Sequence, residues 1–168
     1  MMNRTPLGDL IFILILIPIQ IFVLNRITIM GAYTPVIYPI FVLFYPFFRN
    51  QYHFIAFSFL LGLGIDAFMG TWGINALATT ALAYFRTLIF RSSTDTTTDF
   101  FTFSTLQWSQ FLFFVLISII GHQLMVHLIE FFKLSRILEI LLGSIISSLI
   151  SFVFILAYIL IFRVKQKV

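Results

Sequence analysis

Residues 59–86 read FLLGLGIDAFMGTWGINALATTALAYFR, and the class of the protein turns on them. One carboxylate, Asp66, stands in an apolar run of helix length, with Gly62, Gly64, Gly70 and Gly73 around it. A second apolar run follows after a very short turn. An ionisable side chain near the centre of a membrane helix costs about 2.5–3.5 kcal/mol on insertion scales, so it is usually turned toward a neighbouring helix. Ser58, Gly62, Asp66 and Gly70 recur every four residues and form one stripe. Three of them are small, which lets another helix backbone come close and bury the carboxylate there. Asn75, with Thr79, is its nearest hydrogen-bonding partner in sequence, and Arg26 and Arg136 are candidate charge partners. The hairpin is expected at the packed centre of an all-α membrane bundle. A brace for the hairpin, a hold on a partner and ion or proton translocation are the three roles open to Asp66.

The rest of the chain fits a bilayer. Its 168 residues are 61% hydrophobic and 10% charged, with a mean hydropathy of +1.09, against about 25% charged residues in soluble domains. Apolar runs approach the roughly 20 residues that cross a bilayer as helix. Six spans are expected, near 8–24, 35–48, 54–70, 74–90, 110–132 and 140–162, in one domain. The second, at about 14 residues and with Pro35, Pro39 and Pro46, is short for a core of about 30 Å, so it either begins earlier or crosses incompletely. The first run lacks a clear cleavage site and reads as a retained span, kinked at Pro18 beside Gln20. Residues 92–109 form the longest loop, with an aromatic second half suited to the interface.

With six spans, Arg4, Arg49, Arg86, Arg91, Arg163, Lys165 and Lys167 fall on one side, and Arg26, Lys133 and Arg136 on the other. Seven cations against three place both termini in the cytoplasm. Trp72 and Tyr33 then lie at outer ends, and Tyr52, Tyr84 and Trp108 at inner ends. The net charge of +4 comes from these scattered anchors and is no nucleic-acid signal. Without Cys there is no disulfide or thiolate site.

Two further groups stand out. Span five carries His122, Gln123, His127 and Glu130, the last three on one face; they read as a polar network between helices or as a wall facing a substrate. A metal would lack a third ligand, since the remaining His53 is expected on the opposite side. Span six carries Gly143, Ser147 and Ser151 in a small-residue stripe, widened by Ser144 and Ser148, that suits close helix contact within the chain or with a second copy. Arg91, Asp95 and Asp99 read as a solvated helical turn. No G-x-S-x-G, H-E-x-x-H, phosphate loop or carboxylate pair is present, so an enzyme, and any cofactor, is not expected.

At the Asp66 hairpin the sequence resembles the MreD family, the small integral-membrane subunit of the bacterial rod-shape system (the elongasome). Members look like G-x-x-x-D-x-x-x-G-x-x-(x)-G followed by an Ala-rich helix, matched here by Gly62, Asp66, Gly70 and Gly73, then Ala76, Ala78, Ala81 and Ala83. The proline-led run from Pro35 to Tyr45, with Arg49 after it, is also similar. The resemblance implies a non-catalytic scaffold of the cytoplasmic membrane that binds MreC and helps connect MreB filaments to the peptidoglycan polymerase RodA and its class B penicillin-binding protein. It implies a fold like the S-component of energy-coupling-factor transporters, six helices around an outward cavity. The competing reading is a solute receptor of that S-component type, although the first span lacks the Ala-x-x-x-Ala coupling pattern. A membrane hydrolase would need acids or a His–Glu set on different helices.

Overall fold

The computed structural model describes residues 6–46, 49–94, 107–131 and 137–162, with backbone alone for 91–94. The expected interfacial half of the 92–109 loop, apart from its last residues, lies outside the described residues. So do Arg4, Asp95, Asp99, Lys133, Arg136, Arg163, Lys165, Lys167 and the Arg91 side chain. The described chain is α-helical, its one β-feature an isolated bridge between Ile29 and Tyr33.

Four helices are long and apolar enough to cross a membrane, as in a multi-pass membrane protein: Pro6–Arg26, Gln51–Met69, Trp108–Phe131 and Ile137–Phe162. The first comprises α1 (Pro6–Pro18), a widened π turn over Ile19–Val23 and a tight turn over Leu24–Arg26. The others are α3 (Gln51–Met69), α5 (Trp108–Phe131) and α6 (Ile137–Phe162). Between α3 and α5 runs α4 (Ile74–Thr94), whose apolar part, Ile74–Phe90, is shorter. Leu10, Leu14, Phe59, Leu63, Phe113, Leu149 and Val153 are exposed, while serines face inward on α6. This inversion of the soluble pattern is what a lipid solvent permits, because tails are as apolar as leucine.

The second expected span is not a helix of 14 residues. Only α2 (Ile40–Leu43) is helical there. Proline lacks the N–H that a continuing helix needs, and Pro35, Pro39 and Pro46 bracket and interrupt the segment. The chain nonetheless passes along the first helix from the level of Gln20 to that of Asp9. Ile37 lies level with Gln20 on the first helix, Tyr38 with Asn75 and His122, Tyr45 with Arg86, and Arg49 with Asp9 near the start of α1. The first helix and α3 therefore run parallel, with this broken strand of chain returning between them. Irregular backbone at membrane depth is tolerated only where protein shields it, and Tyr38, Ile40, Phe41, Val42, Leu43 and Tyr45 are all buried.

Side chains from three helices satisfy the exposed backbone groups of this segment. Gln20 donates to Pro35 O at 3.0 Å and accepts from Ile37 N at 2.9 Å. The Ser151 hydroxyl on α6 accepts from Val36 N at 2.9 Å. Arg86 on α4, counted among the seven cations of one side, is buried; it donates to Tyr45 O and lies 5.0 Å from the centre of the Phe54 ring. Asp9 is likewise buried and paired with Arg49. Two apolar clusters pack around the segment, one with Ile13, Leu16, Phe41, Leu61 and Ile65, the other with Ile40, Leu43, Phe111, Val115, Ile155 and Ile159.

Candidate functional site: a carboxylate-capped hairpin beside a polar cavity

The α3–α4 hairpin closes on Asp66 at two levels. Its backbone carbonyl accepts from Gly70 N at 2.8 Å and Thr71 N at 3.2 Å, which ends α3. Gly70 takes φ +69°, a left-handed conformation suited to glycine. The Asp66 side chain then reaches the start of α4. Oδ2 accepts from Ala76 N at 2.8 Å, and Oδ1 accepts from Asn75 N at 3.0 Å, Asn75 Nδ2 at 2.9 Å and Thr71 Oγ1 at 2.6 Å. The first N–H groups of a helix have no partner within it and carry its positive pole. The carboxylate supplies both the missing acceptor and the opposing charge. It is buried and bonded to Asn75, both as expected, whereas Thr79 bonds backbone carbonyls instead; Arg26 makes no ion pair with it, and Arg136 lies outside the described residues.

The stripe expected on α3 divides in two. Ser58, Gly62 and Asp66 face α4. A Cβ on Gly62 would lie 2.5 Å from Ala76 Cα and from Asn75 O, so the backbones approach as closely as glycine allows. Thr79 Oγ1 lies 2.7 Å from Asn75 O and 3.0 Å from Ser58 O, sharing its hydrogen across the contact. Gly70 and Gly73 do not pack: a Cβ on either would meet nothing within 4 Å. Both are required by the turn, Gly73 at φ +87°. Spacing alone placed Gly70 on a packing face because a four-residue period continues through a turn on paper but not in space.

From Asp66 a chain of polar contacts runs across the bundle. Asn75 presents its amide nitrogen to Asp66, leaving Oδ1 to accept from Tyr38 Oη at 2.6 Å. Tyr38 Oη lies 3.3 Å from His122 Nε2. Since the phenol proton goes to Asn75, His122 donates from Nε2. Its other ring nitrogen, Nδ1, is buried without a partner. Tyr38 was not legible as a member, because nothing local marks a tyrosine on a broken segment as the bridge between α4 and α5.

The four polar residues expected on α5 do not form one network. His122 joins the Asp66 chain. Gln123 is buried, and its Nε2 has no partner. His127 Nδ1 bonds Gln123 O of its own helix at 2.8 Å, and Glu130 is exposed. Gln123, His127 and Glu130 do share one environment, a cavity of about 440 Å³. Asn75 from α4 and Gly143 and Ser147 from α6 line the same cavity, as do Gln20 and Tyr38. Gly143 therefore faces open space rather than another helix, and a Cβ there would meet nothing within 4 Å. Ser151 lies deeper, where its hydroxyl donates to Ser147 O at 2.7 Å and holds Val36. Tyr33, expected as an interfacial aromatic, is half-buried at the cavity, whereas Trp72 is 97% exposed at the hairpin turn.

Among the described residues, no three His, Asp or Glu side chains gather as a metal site would require. Compared with protein-family models, curated proteins and solved structures, the chain finds no match.

Proposed function

We propose that this chain is a non-catalytic scaffold subunit of the bacterial rod-shape complex, as its resemblance to MreD implies. In this reading it crosses the cytoplasmic membrane six times with both termini inside. It binds MreC, and through that partner helps couple MreB filaments to RodA and its class B penicillin-binding protein. The observation that carries the proposal is how the Asp66 carboxylate is used. All four of its hydrogen bonds are internal to the α3–α4 hairpin, so the motif that carries the resemblance builds a fixed turn rather than a reacting centre. Such a turn holds the exposed Trp72 and the apolar outer faces of α3 and α4 in one geometry, which is what a docking subunit needs.

The polar cavity favours a second reading, a solute-receptor subunit of an uptake system, because its 440 Å³ falls within the range of about 300–1,000 Å³ typical of small-molecule sites. Co-purification after mild detergent extraction decides between them. Recovery of a single-span partner with an extracytoplasmic coiled coil supports the scaffold. Recovery of two ATPase subunits and a coupling subunit replaces it with the receptor.

A further inference from the structure

Among the serines of α6, Ser147 alone does not return its hydroxyl to its own helix. Ser144 donates to Ile140 O at 2.7 Å, Ser148 to Ser144 O at 2.5 Å and Ser151 to Ser147 O at 2.7 Å, each to the carbonyl four residues earlier. A serine inside an apolar helix commonly settles its hydroxyl in this way. The Ser147 hydroxyl bonds to no described residue, although the residue is only 5% exposed. A polar group left over in the interior of a native protein calls for a specific explanation. Ser147 lines the cavity. Its hydroxyl keeps contact with that space, whereas Gln123 Nε2, equally unpaired, is sealed inside the protein. One turn away on α6, a Cβ on Gly143 would meet nothing within 4 Å. This face of the helix looks into open space with a hydroxyl to spare.

The other walls limit what can pair with it. His127 on α5 gives its Nδ1 hydrogen to Gln123 O, which leaves Nε2 of the neutral ring as an acceptor. Tyr33 and Thr34, both half-buried at the cavity, carry hydroxyls that bond to no described residue. A ligand carbonyl would suit the hydroxyls but not His127. An ion would be desolvated without a counter-charge, because the buried lining residues, Gln20, Tyr38, Asn75, Gln123, Ile140 and Ser147, carry none. Ligand hydroxyls, which both give and take, serve all of these positions. The rings of Tyr33 and Phe131 also line the site, Phe131 stacked on His127 with centroids 6.2 Å apart. The negative face of an aromatic ring attracts the C–H bonds on one side of a sugar ring. We propose that this cavity binds a neutral polyhydroxylated ring, a sugar or cyclic polyol, with one hydroxyl on Ser147 and others toward His127 Nε2, Tyr33 and Thr34. The same chemistry reaches the cavity as a free solute or as the headgroup of a neutral glycolipid. Such a site fits either assembly, and its absence would leave the co-purification result untouched.

The chain contains no cysteine, so thiol labelling tests the proposal on a clean background. Gly143→Cys puts a single thiol on the open wall of the cavity, and Trp72→Cys puts one on the exposed turn outside it. Val126→Cys, half-buried at the same cavity, serves if Gly143→Cys does not fold. Maleimide alkylation is timed in a polyoxyethylene detergent, whose headgroup carries no sugar. The probes are glucose, N-acetylglucosamine and myo-inositol, added free, and a monoglucosyl diacylglycerol mixed into the micelle. At least one of them at saturation should slow alkylation of the cavity thiol about tenfold or more, since a seated ligand covers its walls, and leave the Trp72→Cys rate unchanged. Protection by a free probe assigns a solute site, and protection by the glycolipid alone assigns a headgroup site. Ser147→Ala should raise the protecting concentration about two- to tenfold, the worth of one hydrogen bond, and unfold at the wild-type midpoint. A purely structural serine would give the reverse. No protection by any probe, equal protection by glucose 6-phosphate or glucosamine, or a Ser147→Ala protein that unfolds earlier and binds as before would overturn the assignment.

Discussion

Asp66→Asn is the substitution that best isolates the cap on α4. The amide has the shape of the carboxylate but one acceptor oxygen fewer. Its oxygen can stay at the Oδ1 position, where Asn75 N, Asn75 Nδ2 and Thr71 Oγ1 converge. Its NH2 group then faces Ala76 N, which donates to Oδ2 in the native protein. One buried backbone N–H loses its partner, at about 1–3 kcal/mol. Loss of the negative charge at the start of α4 adds about 0.3–1 kcal/mol. The expected loss of about 1.3–4 kcal/mol corresponds to roughly tenfold to nearly a thousandfold in the unfolding equilibrium. Equilibrium unfolding in bicelles, followed by helical circular dichroism, reads the total, and amide exchange at Asn75 and Ala76 localises it. Asp66→Leu removes all four hydrogen bonds and should cost more, whereas Thr71→Ala removes one donor and should cost about 0.5–1.5 kcal/mol. If Asp66→Asn unfolds at the wild-type midpoint with Ala76 equally protected, the carboxylate is not the cap, and its burial needs another cause.

Glycines that look equivalent in sequence should respond differently. Gly62→Ala forces a methyl group against Ala76 and Asn75 and should cost about 1–3 kcal/mol of stability by overpacking; Gly143→Ala, facing open space, should unfold as wild type does. Gly73→Ala must hold φ +87° and should lose about 1–2 kcal/mol, detectable as faster exchange at the first amides of α4. Ser151→Ala strips the acceptor from Val36 N and should cost about 1–3 kcal/mol. Ser144→Ala, which loses only a bond to Ile140 O in its own helix, should fall within about 0.5 kcal/mol of wild type. Equal losses at the two serines would mean that the broken segment does not depend on α6. Gln20→Leu, which removes both bonds to Pro35 and Ile37, should expose that segment to proteolysis in detergent while leaving the α3–α4 hairpin resistant.

Sequence alone determined the solvent, the class and much of the hairpin. Long apolar runs with few charges admit helices in lipid and little else, and a carboxylate on one four-residue stripe with Gly62 and Ser58 had to face a close neighbour. These are local properties, set by the side-chain period of a helix and the cost of burying charge. Tertiary structure decided what spacing could not. The proline-rich segment became a shielded, mostly non-helical passage because Gln20, Ser151 and Arg86, far apart in the chain, each satisfy part of its backbone. Gly143 and Ser147 came to line a cavity because the partner expected to pack on them stands back, while Gly62 meets α4 directly. Tyr38 became the bridge between Asn75 and His122 for the same reason. A hydrogen-bonding group carries no record in sequence of which distant group will meet it, and that meeting exists only once the helices are packed.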